Sequence, residues 1–189
     1  MTSKELLFTG IHARNINLVR KLLEVVLPVA YGEDFYRKLQ EGPSELSRLV
    51  YYRDIAVGAI GCRVLDGEAA VAVEGGGAAT AGAGAAAAGS GSSARKLYIT
   101  VLAVLGPYRD RGIGSALLRG LLEAVDGGKV KGAEGAEEIY LHVWQENKEA
   151  VRVCGLFPFL APHCNTHDTD SHIHARIHAL RTQPSDYVL

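Results

Sequence analysis

The segment from Leu97 to Val125 constrains this chain more than any other part of it. Leu97 to Leu105 is an apolar run that reads as a strand, and Ile113 to Val125 carries the apolar spacing of an amphipathic helix. Between them, Leu105-Gly-Pro-Tyr-Arg-Asp-Arg-Gly-Ile-Gly-Ser115 sets Arg109-x-x-Gly112-x-Gly114 at the strand-to-helix junction. The opening N–H groups of a helix lack intrahelical partners and sit at the positive end of its dipole, so they receive anions. Glycine at positions 112 and 114 keeps side chains away and lets a diphosphate approach the backbone. The turn predicts a site for an anionic, nucleotide-like cofactor. Gly112-Ile-Gly114-Ser-Ala-Leu117 lacks the third glycine of a dinucleotide fingerprint, and no Gly-Lys-Ser/Thr follows to make a P-loop.

The flanking sequence alternates strand and helix patterns. Leu6 to Ile11 predicts a first strand, and Asn15 precedes a helical spacing of Ile16, Val19, Leu22, Leu23 and Val26. Asp34 to Leu39 reads as a short second helix. Leu49 to Tyr52 and Ile55 to Val64 flank Arg53-Asp54, a connection of hairpin length without the usual Asn-Gly. Glu138 to Trp144 predicts another strand, and Asn147 to Arg152 opens a last helix. Residues 67–94 are nearly all Ala, Gly, Val and Ser, too poor in side chains to offset the entropy of ordering, and predict a disordered loop insert. From Val153 onward no sustained period is apparent, two prolines interrupt Phe157 to Pro162, and five of the seven histidines follow.

A chain of 189 residues suits one domain with its own core. A net charge of -1 argues against bulk affinity for nucleic acid. Cys62, Cys154 and Cys164 are too few and too irregular for a disulfide framework. No apolar run reaches the roughly 18 residues of a membrane span, and the start lacks a signal-peptide layout. These features predict a soluble intracellular protein with neither nucleic-acid nor membrane partners. Cys164, His167, His172 and His174 match no familiar zinc-finger spacing, so no metal site is expected.

With the strands and the phosphate turn in this order, the chain resembles the GNAT N-acetyltransferases, which bind acetyl-CoA through R/Q-x-x-G-x-G/A. Five separated segments sharpen the likeness: Leu27-Pro-Val-Ala-Tyr31, Ile55-Ala-Val-Gly-Ala, Leu97-Tyr-Ile, Leu105-Gly-Pro-Tyr-Arg and Ile139-Tyr-Leu-His-Val143. Together they resemble the catalytic subunits of NatE, which acetylate protein N-termini beginning with Met and a hydrophobic residue. The resemblance implies an α/β fold with a mixed sheet, a GNAT domain over residues 1–152, and a divergent, poorly ordered tail over 153–189. It also implies nascent-chain substrates, association with NatA subunits and the ribosome, and residence in the cytoplasm and nucleus.

Acetyl transfer from a thioester to an amine needs a bound donor, a deprotonated nucleophile and oxyanion stabilisation. A peptide α-amine has a pKa of about 8, so a modest base suffices. Tyr98 and His142 lie on the strands either side of the cofactor helix; read alone they are more readily packing residues, and the resemblance implies that they are the bases. It further implies that Arg109, Gly112, Ile113, Gly114 and Ser115 hold the pyrophosphate, and that Leu102 and Val104 offer main-chain groups to the pantetheine arm. Asn147 would contact the cofactor by its amide. Leu27, Pro28, Val29 and Tyr31 would line the pocket for the first residue, where burying a Met side chain contributes roughly 2 kcal/mol. Arg63 is a further candidate beside the site.

The chain departs from that family after Arg152. Val153-Cys154 stands where an aromatic pair is expected, and the two closing strands are expected to be missing or altered, which would leave the strand of Tyr140 and His142 with an open edge. A catalytically impaired isoform serving as a non-catalytic subunit, and a lysine acetyltransferase, stand as alternatives.

Overall fold

The computed structural model describes residues 5–65, 95–130, 132–133, 136–144, 147–155, 160–163 and 172–178. Its elements follow the order β1 (Leu6–Gly10), α1 (Ile16–Val26), α2 (Glu33–Glu41), β2 (Ser47–Tyr52), β3 (Ile55–Leu65), β4 (Arg95–Val104), α3 (Ile113–Asp126), β5 (Ala136–Trp144), α4 (Lys148–Gly155), β6 (Leu160–His163) and β7 (His172–His178). The strands form one sheet in the order β1-β2-β3-β4-β5-β7-β6. Every neighbouring pair is antiparallel except β4 and β5, which run parallel. The α/β mixed sheet expected from the sequence is the one observed. The insert at residues 67–94 lies outside the described residues.

Helices cover both faces of the sheet, and β4 contributes to both layers. Leu97 and Ile99 join the cluster of Ile113, Leu117, Leu118, Leu121 and Leu122 under α3. Val101 and Ala103 join the other cluster, with Val19, Leu22, Leu23, Tyr36 and Leu39 of α1 and α2. Odd-numbered residues of a regular strand would all share one face. The switch occurs at a bulge: Cys62 pairs with Ile99 and Gly61 with Val101, leaving Thr100 as the extra residue. Its hydroxyl donates to the Gly61 carbonyl at 3.0 Å. Glycine is needed opposite this bulge because a β-carbon there would stand 2.4 Å from Leu39 Cδ2 and 3.1 Å from Val101 Cγ1.

Asn15 works differently from a simple helix cap. Its side chain does not cap α1. Instead Nδ2 donates to the Gly10 carbonyl and Oδ1 accepts the His12 N–H, each at 2.8 Å, which ties the end of β1 to the start of the helix. The β2–β3 turn forms at Arg53-Asp54 as expected, with Arg53 taking the left-handed φ of 54° that Asn or Gly adopts more readily.

Of the two outcomes expected for the closing strands, altered holds and missing does not. β7 pairs with β5 from Glu138↔His178 to Trp144↔His172, and β6 adds the edge. The open edge expected beside Tyr140 and His142 is therefore covered. The physical reason is a period of two in His172-Ile-His-Ala-Arg-Ile-His178, too short to stand out as a sustained strand period in the sequence. Ile173, Ala175 and Ile177 stand opposite Val143, Leu141 and Ile139, and all three of these β5 residues are buried. Pro162 falls in the edge strand, where a missing N–H is tolerated.

Replacing Gly61 with valine should overpack the bulge and lower stability by about 1–3 kcal/mol. A urea melt checks this, and a midpoint equal to wild type would show that the bulge does not depend on the glycine.

Candidate active site

The site begins where the parallel ladder stops. β4 and β5 pair from Arg95↔Ala136 to Tyr98↔Tyr140, and the ladder carries no further although both strands continue. Beyond that point a gap opens between Ile99–Val104 and Leu141–Trp144. Peptide groups along an antiparallel strand alternate in direction. The Leu105 N–H bonds to the Val57 carbonyl at 2.9 Å, and the Ala103 carbonyl faces Gly58, so the 101, 103 and 105 peptide groups turn toward β3. Those of Leu102 and Val104 turn toward the gap. An extended amide-bearing ligand arm can pair with them as an added strand would.

At the end of β4 the chain makes a 3₁₀ turn, Gly106–Tyr108, and then reaches α3 through Asp110 at φ 56° and Gly112 at φ 75°. Gly112 is the N-cap in a left-handed conformation, and no side chain caps the helix. The first helical bond runs from the Ala116 N–H to the Gly112 carbonyl at 2.9 Å, so the amides of Ile113, Gly114 and Ser115 precede it. A β-carbon on Gly112 would meet nothing within 4 Å, and one on Gly114 only Val104 Cγ2 at 3.9 Å. The corner is open to a ligand. Gly112 is thus required for its backbone angle, and Gly114 for the space its missing side chain leaves to a ligand. Ile113 is 1% exposed, so its contribution to an anion is confined to its backbone.

Arg109 has a more definite position than a solvated surface charge. Its Nε donates to the Val104 carbonyl at 3.1 Å, and its Nη1 pairs with Glu149 of α4. These contacts make it a strut between the end of β4 and α4, beside the helix amides. Arg111, passed over in the motif because it occupies a variable position, has its guanidinium 5.5 Å from the Tyr108 ring centre. Asn147 caps α4, its Oδ1 accepting the Ala150 N–H at 3.1 Å. That contact occupies the oxygen of the amide expected to reach the cofactor and leaves its nitrogen uncommitted by the cap.

On the sheet face opposite α3, where the β4–β5 ladder ends, Tyr98 is half-buried beneath Arg63, whose guanidinium lies 5.1 Å from the ring centre. Burial, followed by the neighbouring phenols of Tyr98 and Tyr36, pushes the Tyr31 hydroxyl above its ordinary pKa. Tyr31 and Tyr98 are therefore close enough to influence each other. Tyr31 stacks on Phe35 at 4.0 Å, a partner that sequence reasoning missed although an aromatic four residues along signals it. Leu27 ends α1, its N–H bonding the Leu23 carbonyl at 2.8 Å, and packs half-buried against the same cluster as Tyr31 and Phe35. Pro28 is exposed and Val29 is 41% exposed, which leaves an uncovered apolar lip. His142 lies on β5 two residues beyond Tyr140, the partner of Tyr98; its side chain lies outside what the structure describes. Cys62 is buried, which pushes its thiol up to about 12 and removes it as a neutral-pH nucleophile.

Residues 16–155 match the model of the acetyltransferase (GNAT) family. This chain belongs to the GNAT acetyltransferase family. It is 32% identical over 146 residues to N-alpha-acetyltransferase 50 of Danio rerio, spanning 77% of this chain and 68% of that protein. It is 30% identical over 160 residues to a probable N-acetyltransferase, san, of Drosophila melanogaster, spanning 84% of this chain and 70% of that protein. Among solved structures, Arabidopsis thaliana Naa50 with the bisubstrate analogue CoA-Ac-MVNAL superposes with a TM-score of 0.62 at 27% identity, covering 91% of this chain and 97% of that one. Arabidopsis thaliana NAA60 with acetyl-CoA shares the fold at a TM-score of 0.62 and 16% identity.

The chain is an acetyl-CoA-dependent N-acetyltransferase. Its residues fit that cosubstrate: uncapped α3 amides for the diphosphate, an open corner at Gly112 and Gly114, and peptide groups turned into the gap for the pantetheine amides.

Gly112→Ala should weaken acetyl-CoA binding roughly 5–30-fold in calorimetry, because the left-handed angle costs an L-residue about 1–2 kcal/mol. Gly106→Ala is the control; its β-carbon would meet nothing within 4 Å and its φ is ordinary, so affinity should stay unchanged. Equal affinities for wild type and Gly112→Ala would remove the turn from the binding site.

Proposed function

We propose that this chain acetylates the N-terminal α-amine of proteins that begin with Met followed by a hydrophobic residue. The observation that carries this is the apolar lip of Leu27, Pro28, Val29 and Tyr31, whose Tyr31 lies near enough to Tyr98 for the two phenols to influence each other. A Met side chain is flexible and apolar, and half-buried Leu27 and Tyr31 with exposed Val29 form a slot of that character. The Arabidopsis relative, crystallised with an analogue joining CoA to an acetylated peptide that starts Met-Val, supports the same substrate class.

In this reading the α3 amides and the gap-facing peptide groups of Leu102 and Val104 hold and orient the donor. The lip holds the Met side chain and so presents the α-amine beside Tyr98. Tyr98 and His142 take up the proton that the amine loses, directly or through water. An α-amine has a pKa of about 7.7–8.0 against about 10.4 for lysine, so weak bases suffice for the first and not for the second. That difference favours N-termini over lysine side chains. Coverage of β5 by β7 and β6 favours an active enzyme over a non-catalytic subunit, since the strand carrying His142 has its neighbour. The resemblance to NatE subunits further supports association with NatA subunits and the ribosome, and residence in the cytoplasm and nucleus.

Met-Leu-led peptides should be acetylated at least tenfold faster than an N-terminally blocked peptide with an internal lysine. Tyr98→Phe and His142→Asn should each lower kcat by about 100-fold, the contribution of a positioned base, with acetyl-CoA affinity retained. Equal rates on the lysine peptide would refute the α-amine assignment, and an unchanged kcat in both variants would refute the assignment of the bases.

A further inference from the structure

A cavity of about 280 Å³ lies where β3 ends, β4 begins and α2 gives way to the loop before β2. Lys38 of α2, Arg63 of β3 and Arg95 of β4 line it, and among the described residues no carboxylate does. Its place follows from the bulge. Gly61 has no side chain, so Leu39 of α2 packs directly over it, and the adjacent Lys38 is brought beside Arg63, two residues further along β3. Arg63 connects the cavity to the chemistry, since it also holds its guanidinium 5.1 Å from the Tyr98 ring centre.

A lysine in the last turn of a helix suits the helix dipole, and that alone would make Lys38 unremarkable. Its surroundings say more. The acids nearest it on α2, Asp34 and Glu41, both pair with Arg37. Lys38 itself makes no ion pair among the described residues. A concave surface lined by charges of one sign concentrates their field and draws in the opposite charge.

We propose that this cavity is a specificity subsite for an acidic side chain at the third or fourth residue of the substrate protein. The proposal rests on the substrate reading above, in which the α-amine lies beside Tyr98. An extended chain advances about 3.3–3.6 Å per residue, so residues three and four stand roughly 7–11 Å beyond the first. There they pass Arg63 and meet Lys38, whose ammonium forms a charge-assisted hydrogen bond with the incoming carboxylate. Both cations are exposed, so the gain is modest and screened by salt.

The test measures kcat/KM of the full chain on three peptides that differ only at positions three and four. They begin Met-Leu-Glu-Glu, Met-Leu-Gln-Gln and Met-Leu-Lys-Lys. At low salt the Glu peptide should exceed the Gln peptide by about 3–10-fold, through KM rather than kcat, and the Lys peptide should fall below both. The Glu advantage should shrink as salt rises. Lys38→Gln should cut the Glu-to-Gln ratio by about twofold or more, and Lys38→Arg should restore it. Lys21→Gln removes an α1 lysine that does not line the cavity and should leave the ratio as in wild type. Circular dichroism checks the fold of each variant. Equal values for the Glu and Gln peptides overturn the subsite and leave the α-amine reading intact. A ratio that Lys38→Gln does not move, or that Lys21→Gln lowers equally, does the same. Turnover of none of the three peptides overturns the α-amine reading and the subsite with it.

Discussion

Parting of two parallel strands is the constraint on which the rest of this molecule depends. β4 and β5 are paired as far as Tyr98 and Tyr140, and their ladder ends there. A continued ladder would consume the peptide groups of Leu102 and Val104 and close the space in front of α3. The parting is accompanied on the opposite edge of β4 by the bulge at Thr100, which also exchanges the faces that the strand presents. Before the bulge Leu97 and Ile99 pack against α3; after it Val101 and Ala103 pack against α1 and α2, the helices whose loop carries the apolar lip, while Leu102 and Val104 take over the α3 side. One extra residue thus links the cofactor side of the sheet to the peptide side.

The division of labour within the site follows from this geometry. Contacts available to the donor are mostly backbone: the opening amides of α3 and the gap-facing groups of β4. Such contacts ask little of side-chain identity except that it stay out of the way, and Gly112 and Gly114 meet that requirement in different manners. Arg109 braces the frame by joining the Val104 carbonyl to Glu149. Its charge still adds to the positive end of the helix dipole. Side-chain chemistry is concentrated on the sheet face opposite α3, around Tyr98, Tyr31 and Arg63.

The altered end of the chain keeps its place in the sheet for a simple reason. β5 presents Ile139, Leu141 and Val143 to the core, and any strand with apolar residues at every second position can extend that surface. The seven residues of β7 meet the requirement with Ile173, Ala175 and Ile177. What differs is the other face, where histidines and an arginine stand. The alternation was present in the sequence, but it is short, and the surrounding prolines and polar residues masked it.

Much of the fold was legible from local pattern. Periods near 3.6 marked α1 and α3, apolar runs marked β4 and β5, and the glycines marked the bend between strand and helix. These signals are readable because each arises from neighbours a few residues apart. The sequence alone therefore determined the elements, the anion-receiving turn and the residue types available for chemistry. Only the tertiary structure decided where β4 leaves β5, that Arg109 is a brace, that Asn147 caps α4, and that Lys38 and Arg63 border one cavity. Each of those outcomes depends on register between segments distant in sequence, and register is set by packing across the whole sheet.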